Sequence, residues 1–377
     1  MNRIHHASLT FGSSLEVPHV TMNVAMIGLT HPHSDWYLET LDQLDEVLRI
    51  PLYDPDEAAA HQVATRSHKV DKVYSSLDSL LEQANFTHAL VAVPTDQSVA
   101  TIVRLIGAGK NVFTEKPAAR TAAEFEDVIA ALAREPVAFG VAYTNRWHPA
   151  IQQMRTLYQG QAIGRLASVE LRMVTTQVRL RNPRHWLFQR EIAGGGILSW
   201  LGCHVLDLLR YVTGEEVTSV AAQLATTSGE DITVEDTAAV SFRLSGGAIG
   251  SLHAGYLLAS GGTGYRGASK DIAIHLRGTQ GALTYRFGEP LVLESIAPGW
   301  RSASSRTFDF TLPATPGYGG MHGLDFVRAV LSAAPQDPTP AGPVDALRVL
   351  EVLDAIYEAN HSGTTVDVAH RPITARH

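Results

Sequence analysis

The stretch AMIGLTHPHSDW brings Gly28, Thr30, His31 and His33 together at the end of an apolar run. A glycine in such a bend lets backbone amides approach a pyrophosphate, and the helix N-terminus that follows adds positive potential. Gly28 supplies the bend, whereas Thr30 and His33 stand where two further glycines of such a turn are expected. Thr30 places a side chain where the diphosphate approaches, together with a hydroxyl that can hydrogen-bond it, and His33 can push helix and strand apart. His31 and His33 also raise the question of a metal. Two residues in one turn give only two ligands with no clear third, so no metal is expected. The competing reading makes both imidazoles surface or cap-like residues at a helix start, with Ser34 or Asp35 as N-cap. Asp54, which ends the next strand-like run, stands near the roughly 20-residue spacing at which a carboxylate takes the adenosine ribose hydroxyls. That favours NAD over NADP, since a carboxylate repels a phosphate there. Its alternative is a turn residue in YDPDE that only supports a helix start.

These residues need a particular framework. From Met22 onward short apolar runs alternate with helical stretches: NVAMIG, SDWYLETLDQL, VLRIPLYD, HALVAVP, DQSVATIVRLIGAG and NVFTEK. That order predicts a doubly wound parallel sheet, an α/β nucleotide-binding domain over residues 22–143. After VAFGVAYTNRW the strands lengthen and alternate, as in LASVELRMVTTQV, TAAVSFRLSGGAIGSLHAGYL, DIAIHLRGTQGALTYRF and PLVLESIA. Residues 144–377 are therefore expected to form an α+β substrate domain with a mostly antiparallel open sheet. Its hairpin RLSGGAIG carries a Gly-Gly turn signal. A closing helix, VDALRVLEVLDAIYEANHSG, stops at Gly363 and is expected to pack back on the first domain. Residues 1–21 read as an extension outside the fold, with Met22 as a candidate start.

Composition narrows the ligand. With 38 acidic residues against 30 Lys and Arg, the formal charge is −8, so there is no broad basic footprint for nucleic acid or an anionic membrane. No uninterrupted apolar run has bilayer-spanning length. Cys203 is the single cysteine, which rules out an intramolecular disulfide and suits a reducing compartment, the cytosol by default. A small molecule is the expected partner.

Several separated motifs resemble one family, the oxidoreductases grouped around glucose-fructose oxidoreductase, inositol dehydrogenase and the rhizopine-catabolism protein. AGKNVFTEKPAA resembles the family's Glu-Lys-Pro segment, YTNRWHPAIQQM its domain-crossing strand and helix, and GGGILSWLGCHVLDLLRYVTG its substrate helix. VEDTAAVSF, IHLRGTQGAL and YEANHSG continue the likeness over nearly everything after Met22. The resemblance implies that Lys116 leans over the nicotinamide and touches the reacting hydroxyl, that Glu115 anchors the loop and that Pro117 fixes its direction. An ammonium there stabilises the alkoxide that develops as hydride leaves. In VPTDQS the resemblance keeps Pro94 and places Thr95 and Asp96 on the nicotinamide side, with Ser98 where many relatives carry His. On the substrate helix Ser199 is read as the cap, and His204 is the candidate base, because a neutral imidazole can accept the alcohol's proton.

Trp200 departs from the pattern, standing where relatives with dehydrogenase activity usually carry Asp; its indole is expected to shape the pocket and stack on a sugar face. Cys203 reads as core packing, and Asp207 as completing the helix face in preference to orienting His204. Arg181, Arg184, His185 and Trp186 form a basic, aromatic loop suited to gate the cleft or grip a carboxylate, phosphate or polyol, and Tyr143, Asn145 and Arg146 are further substrate candidates. The preferred reading is an NAD-dependent dehydrogenase or reductase of a secondary alcohol in a sugar, cyclitol or related polyol. The alternatives are a lyase or glycosidase that retains NAD and works by transient oxidation, and a non-catalytic sugar- and dinucleotide-sensing regulator. The resemblance also implies a homo-dimer or homo-tetramer.

Overall fold

The computed structural model describes residues 21–259, 270–296, 303–310, 312–313, 315–335 and 337–372. The expected extension therefore lies, but for Thr21, outside the described residues.

Two sheets carry the fold. The first has seven strands, all parallel, in the order Val73–Tyr74, Leu52–Tyr53, Met22–Ile27, His88–Val91, Asn111–Thr114 and Phe139–Val141, with Val47–Arg49 also pairing with the central strand. The run read as one strand in VLRIPLYD is two short pieces, divided at Ile50 and Pro51. Val24, Ala25, Met26 and Ile27 are fully buried, as a parallel sheet covered on both faces demands. Helices Ser34–Gln43, Thr95–Gly107 and Ala122–Arg134 supply the cover.

The second sheet has nine strands: Ala303–Phe308, Leu291–Ile296, Gly281–Arg286, Lys270–Gly278, Leu166–Thr176, Ile249–Leu258, Thr237–Leu244, Val217–Ala225 and Val366–Asp367. Every neighbouring pair is antiparallel except Leu166–Thr176 with Ile249–Leu258. The strand Thr237–Leu244 alternates buried and exposed positions, so its sheet has one packed and one open face.

The terminal helix Pro343–Ser362 ends at Gly363 in the left-handed conformation, and Asp354 on it accepts the Ala122 N–H at 2.9 Å, tying it to the parallel-sheet domain. Among the described residues one helical stretch, Arg190–Thr213, is apolar and long enough to cross a bilayer. Its apolar window is 83% buried inside the fold, so packing already occupies that face.

The triple glycine at the head of this stretch has a packing cause. A Cβ on Gly196 would lie 1.9 Å from the Glu235 carbonyl oxygen, and the Glu235 carboxylate accepts the N–H groups of Gly196 and Leu198 at 2.9 and 3.1 Å. Ser199 does not cap the helix. The chain makes a π-turn over Leu198–Gly202 before the α-helix Cys203–Thr213, and the Ser199 hydroxyl bonds to Tyr357 instead.

Candidate active site

The turn after the first strand is built for close approach. Gly28 has φ +91°, and a Cβ there would sit 2.6 Å from the Ala92 carbonyl oxygen, so a side chain is excluded. Asp54 reaches this turn from the adjoining strand: its carboxylate accepts the Leu29 N–H at 2.6 Å and the Asp56 N–H at 2.8 Å. Asp56, not Asp54, caps the helix Glu57–Ala64. Thr30 is exposed, and the amides of Thr30 and His31 have no hydrogen-bond partner among the described residues. Pro94 and Thr95 begin the neighbouring helix, where the Ser98 hydroxyl turns back to the Pro94 carbonyl. The bend, its free amides and the helix Ser34–Gln43 behind them fit a diphosphate.

The two histidines of the turn are not surface residues. His31 is 4% exposed, His33 is half-buried, and both face Glu115, 82 residues further along in the case of His33. Glu115 accepts the Tyr37 hydroxyl at 2.6 Å and the Lys116 N–H at 2.9 Å, and pairs with His33 Nδ1 at 2.7 Å. Neither Ser34 nor Asp35 caps the helix: His33 occupies that position with no side-chain cap bond. The premise that a metal would lack a third ligand is also corrected, since ligand atoms of His31, His33 and Glu115 lie within 4.8 Å of one another. Hydrogen bonding favours a polar cluster over ligation. His31 Nδ1 accepts the His33 backbone N–H at 3.2 Å, so in the neutral ring Nε2 carries the proton and offers no lone pair. Burial lowers both imidazoles below their ordinary range, well below it for His31, against the pull of Glu115. Burial opposes charge on Glu115, and His31, His33 and Lys116 more than offset it, so the carboxylate stays ionised.

Lys116 differs from the expectation that it touches the reacting hydroxyl. It is 1% exposed, donates to the Trp200 carbonyl at 2.8 Å and lies 3.6 Å from the centre of the Trp200 ring. The carbonyl it reaches lies in the π-turn Leu198–Gly202, where the Cys203 thiol also approaches it at 3.7 Å. Burial lowers the Lys116 pKa, and Glu115 partly restores it. Trp200 likewise does not offer a face to a sugar: it is 5% exposed, with its ring 5.1 Å from His31 and 5.3 Å from His33. Trp186 closes the same region by donating its indole N–H to the Thr30 carbonyl at 3.1 Å.

Arg146 is a structural residue. Its guanidinium is buried against Asp207 and Asp345, at 2.5 and 3.0 Å, and these partners keep it charged despite burial. Asp207 is thereby committed to Arg146 rather than to His204 or an open helix face. Tyr143 is 2% exposed, with its ring 6.1 Å from that of His204. Arg184 is exposed on its loop, and Arg181 turns away to Thr175, Thr176 and the Tyr256 ring. The Cys203 thiol is buried and pushed up to about 12, which suits packing and not nucleophilic chemistry.

His204 and Asn145 do line a cavity, of about 370 Å³, between the two sheets' elements. Burial, then Lys116, lowers the His204 pKa well below its ordinary value, so the ring is neutral. Its Nδ1 is buried without a partner. The wall also contains Lys270, His148, His322 and Tyr318, none of which the motifs pointed to. Lys270 starts an otherwise ordinary strand, and His322 sits on the unanticipated helix Gly320–Leu331, so neither carried a local signal.

A parallel-sheet nucleotide domain beside an open sheet, with a neutral histidine on the wall of the cavity between their elements, fits a Rossmann-type oxidoreductase. Residues 22–143 match the model of an oxidoreductase family with an NAD-binding Rossmann fold, and residues 151–284 match the GFO/IDH/MocA C-terminal domain. The chain belongs to the GFO/IDH/MocA family of NAD-binding oxidoreductases. It is 25% identical over 346 residues to a levoglucosan dehydrogenase of Pseudarthrobacter phenanthrenivorans, covering 81% of this chain and 86% of that one. A myo-inositol 2-dehydrogenase of Thermotoga maritima is 24% identical over 232 residues, 61% of this chain and 67% of its own length. The solved structure of a levoglucosan dehydrogenase in complex with NADH and L-sorbose superposes with a TM-score of 0.81 at 22% identity, over 93% of this chain and 99% of that one.

Proposed function

We propose that the protein is an NAD-dependent dehydrogenase or reductase of a secondary alcohol in a sugar or related polyol, with His204 as the proton acceptor. The observation that carries this reading is His204 itself: a buried, neutral imidazole on the wall of the cavity beside the nucleotide domain. The relatives named for levoglucosan and myo-inositol support the substrate class.

The Gly28 bend and the Thr30 and His31 amides would hold the diphosphate, Asp54 the adenosine ribose, and Pro94 and Thr95 would flank the next portion. Bound NAD supplies the hydride acceptor. His204 takes the proton that the substrate hydroxyl must lose, and Asn145 orients the substrate from the same wall. Lys116 is a positioning residue here: it holds the Trp200 carbonyl, and its charge adds to burial in lowering the His204 pKa. Arg146 secures the helix through Asp207.

The test is nicotinamide absorbance on mixing the protein with NAD and a panel that includes levoglucosan and myo-inositol. Reduction of NAD by at least one polyol is expected, and its absence across a broad panel would count against the reading. With a substrate in hand, Lys116→Met removes the charge that depresses His204, so the acidic limb of kcat/KM moves to higher pH. An unmoved limb would remove Lys116 from this role.

A further inference from the structure

Trp36 is one of five large hydrophobic side chains that stand exposed among the described residues, at 42%, and of those five it alone lines the cavity that His204 lines. Single exposed leucines and isoleucines elsewhere on the surface need no explanation. An indole on the wall of a cleft does, because a flat apolar face there is placed to be covered by a ligand.

The ring is held in place. Trp36 lies on the helix Ser34–Gln43, and its indole stacks on His33 with centroids 5.5 Å and planes 23° apart. The Tyr318 ring lies 6.4 Å away at 22°. His33 and Tyr318 are themselves only 4.4 Å apart, so both are on one side of the indole, and no aromatic ring among the described residues covers the other. His33 is tied to Glu115 at 2.7 Å. The loop that carries Tyr318 is pinned to the Trp36 helix: the Gly317 and Tyr318 N–H groups donate to Glu39 and Thr40 at 3.2 and 2.9 Å, and Gln43 donates to the Pro316 carbonyl at 2.8 Å. With this backing, little side-chain freedom is lost when a ligand stacks on the indole.

Its place in the cleft says what stacks. Gly28, Thr30, His31, Asp54, Pro94 and Thr95, the residues that fit the dinucleotide, do not line this cavity. The buried part of its wall holds His204 and His322, each 5% exposed, with Nδ1 of the first and both ring nitrogens of the second unpaired. A ligand that reaches from these imidazoles to the indole needs hydroxyls at one end and a flat C–H face at the other, which is the make-up of a saccharide. The volume of about 370 Å³, near the lower end for small-molecule pockets, suits one ring, so a residue at the exposed rim meets a second.

We propose that Trp36 forms a second saccharide subsite at the rim of the cleft, and that the substrate is a disaccharide or larger glycoside whose non-reacting ring stacks on the indole while the reacting ring sits beside His204. This inference rests on the oxidoreductase reading of the same cleft and narrows its polyol to linked rings.

Calorimetry of the full chain with saturating NAD tests it, using cellobiose, maltose and gentiobiose against D-glucose, lactose against D-galactose, and methyl β-D-glucoside as the linkage without a second ring. At least one disaccharide is expected to bind about tenfold tighter than its monosaccharide and than the methyl glucoside. Trp36→Ala should collapse that ratio to about twofold or less, and Trp36→Phe should retain most of it. Wild type that binds no disaccharide tighter than its monosaccharide, or binds no saccharide at all, overturns the proposal even if no variant folds. So does a Trp36→Ala protein that keeps the ratio, or one that loses NAD affinity instead, which would assign the indole to the nucleotide. A methyl glucoside as tight as the disaccharides overturns the second ring. Heat is read without turnover, so the two readings separate. Disaccharide preference with no NAD reduction by any saccharide sinks the dehydrogenase and spares the subsite, and NAD reduction by monosaccharides as efficient as by disaccharides does the opposite.

Discussion

The two sides of the crevice surround their buried histidines differently. On the nucleotide side, His33 has a carboxylate partner at 2.7 Å, and that carboxylate is itself held by a tyrosine and a backbone amide. On the substrate side, His322 has no hydrogen-bond partner among the described residues, and His204 leaves Nδ1 unpaired. Folded proteins pair nearly all buried polar groups, so an unpaired set on a cavity wall marks where a ligand belongs, while a paired set marks structure. The nucleotide side holds most of its polar groups to one another around Glu115, with His31 Nε2 unpaired at 3.7 Å from that carboxylate, whereas the substrate side has no carboxylate partner for His204 or His322 among the described residues.

The largest expected effect comes from breaking the paired side. Glu115→Gln removes the anion beside the buried Lys116 and should cost about 3–5 kcal/mol of stability in urea unfolding. A loss below about 1 kcal/mol would mean that the cluster is not a structural unit. Acid should act on both sides together. His31, His33, His204 and His322 are all depressed by burial, His322 to about 3, and His148 falls to about 4. Below the ordinary imidazole pKa near 6.5 the unfolded chain binds protons that the native protein refuses, so stability falls as pH drops. Each imidazole should cost up to about 1.4 kcal/mol per pH unit between its ordinary and its native pKa. Urea midpoints at pH 8, 7 and 5.5 check this, and a midpoint that is flat down to pH 5.5 contradicts it. The smallest effect is expected at His322→Phe. Replacing an unpaired buried polar ring by an apolar one should change stability by less than about 1 kcal/mol, whereas a loss above 2 kcal/mol would reveal a structural bond at that position.

This contrast also sorts what the sequence makes legible. Gly28 and Gly363 are readable because a bend and a helix stop are local events, and both adopt positive φ. The alternation of short apolar runs likewise announces the parallel sheet. Glu115 as partner of His33 is not readable, because 82 residues separate them. Arg146 looks like a ligand-gripping cation until Asp207 and Asp345, 61 and 199 residues away, close on it. Ser199 has the right residue type for a cap, and a π-turn displaces the helix start past it. Lys270 and His322 carry no motif, and only the fold brings the start of a strand and a later helix to the cavity that His204 lines.

The central claim is that His204 accepts the substrate's proton, and the most direct measurement is NAD reduction by wild type and His204→Asn on one shared substrate. The account predicts that the variant folds, binds NAD and turns over about 10²–10⁴-fold more slowly. A His204→Asn protein that reduces NAD at the wild-type rate would contradict it.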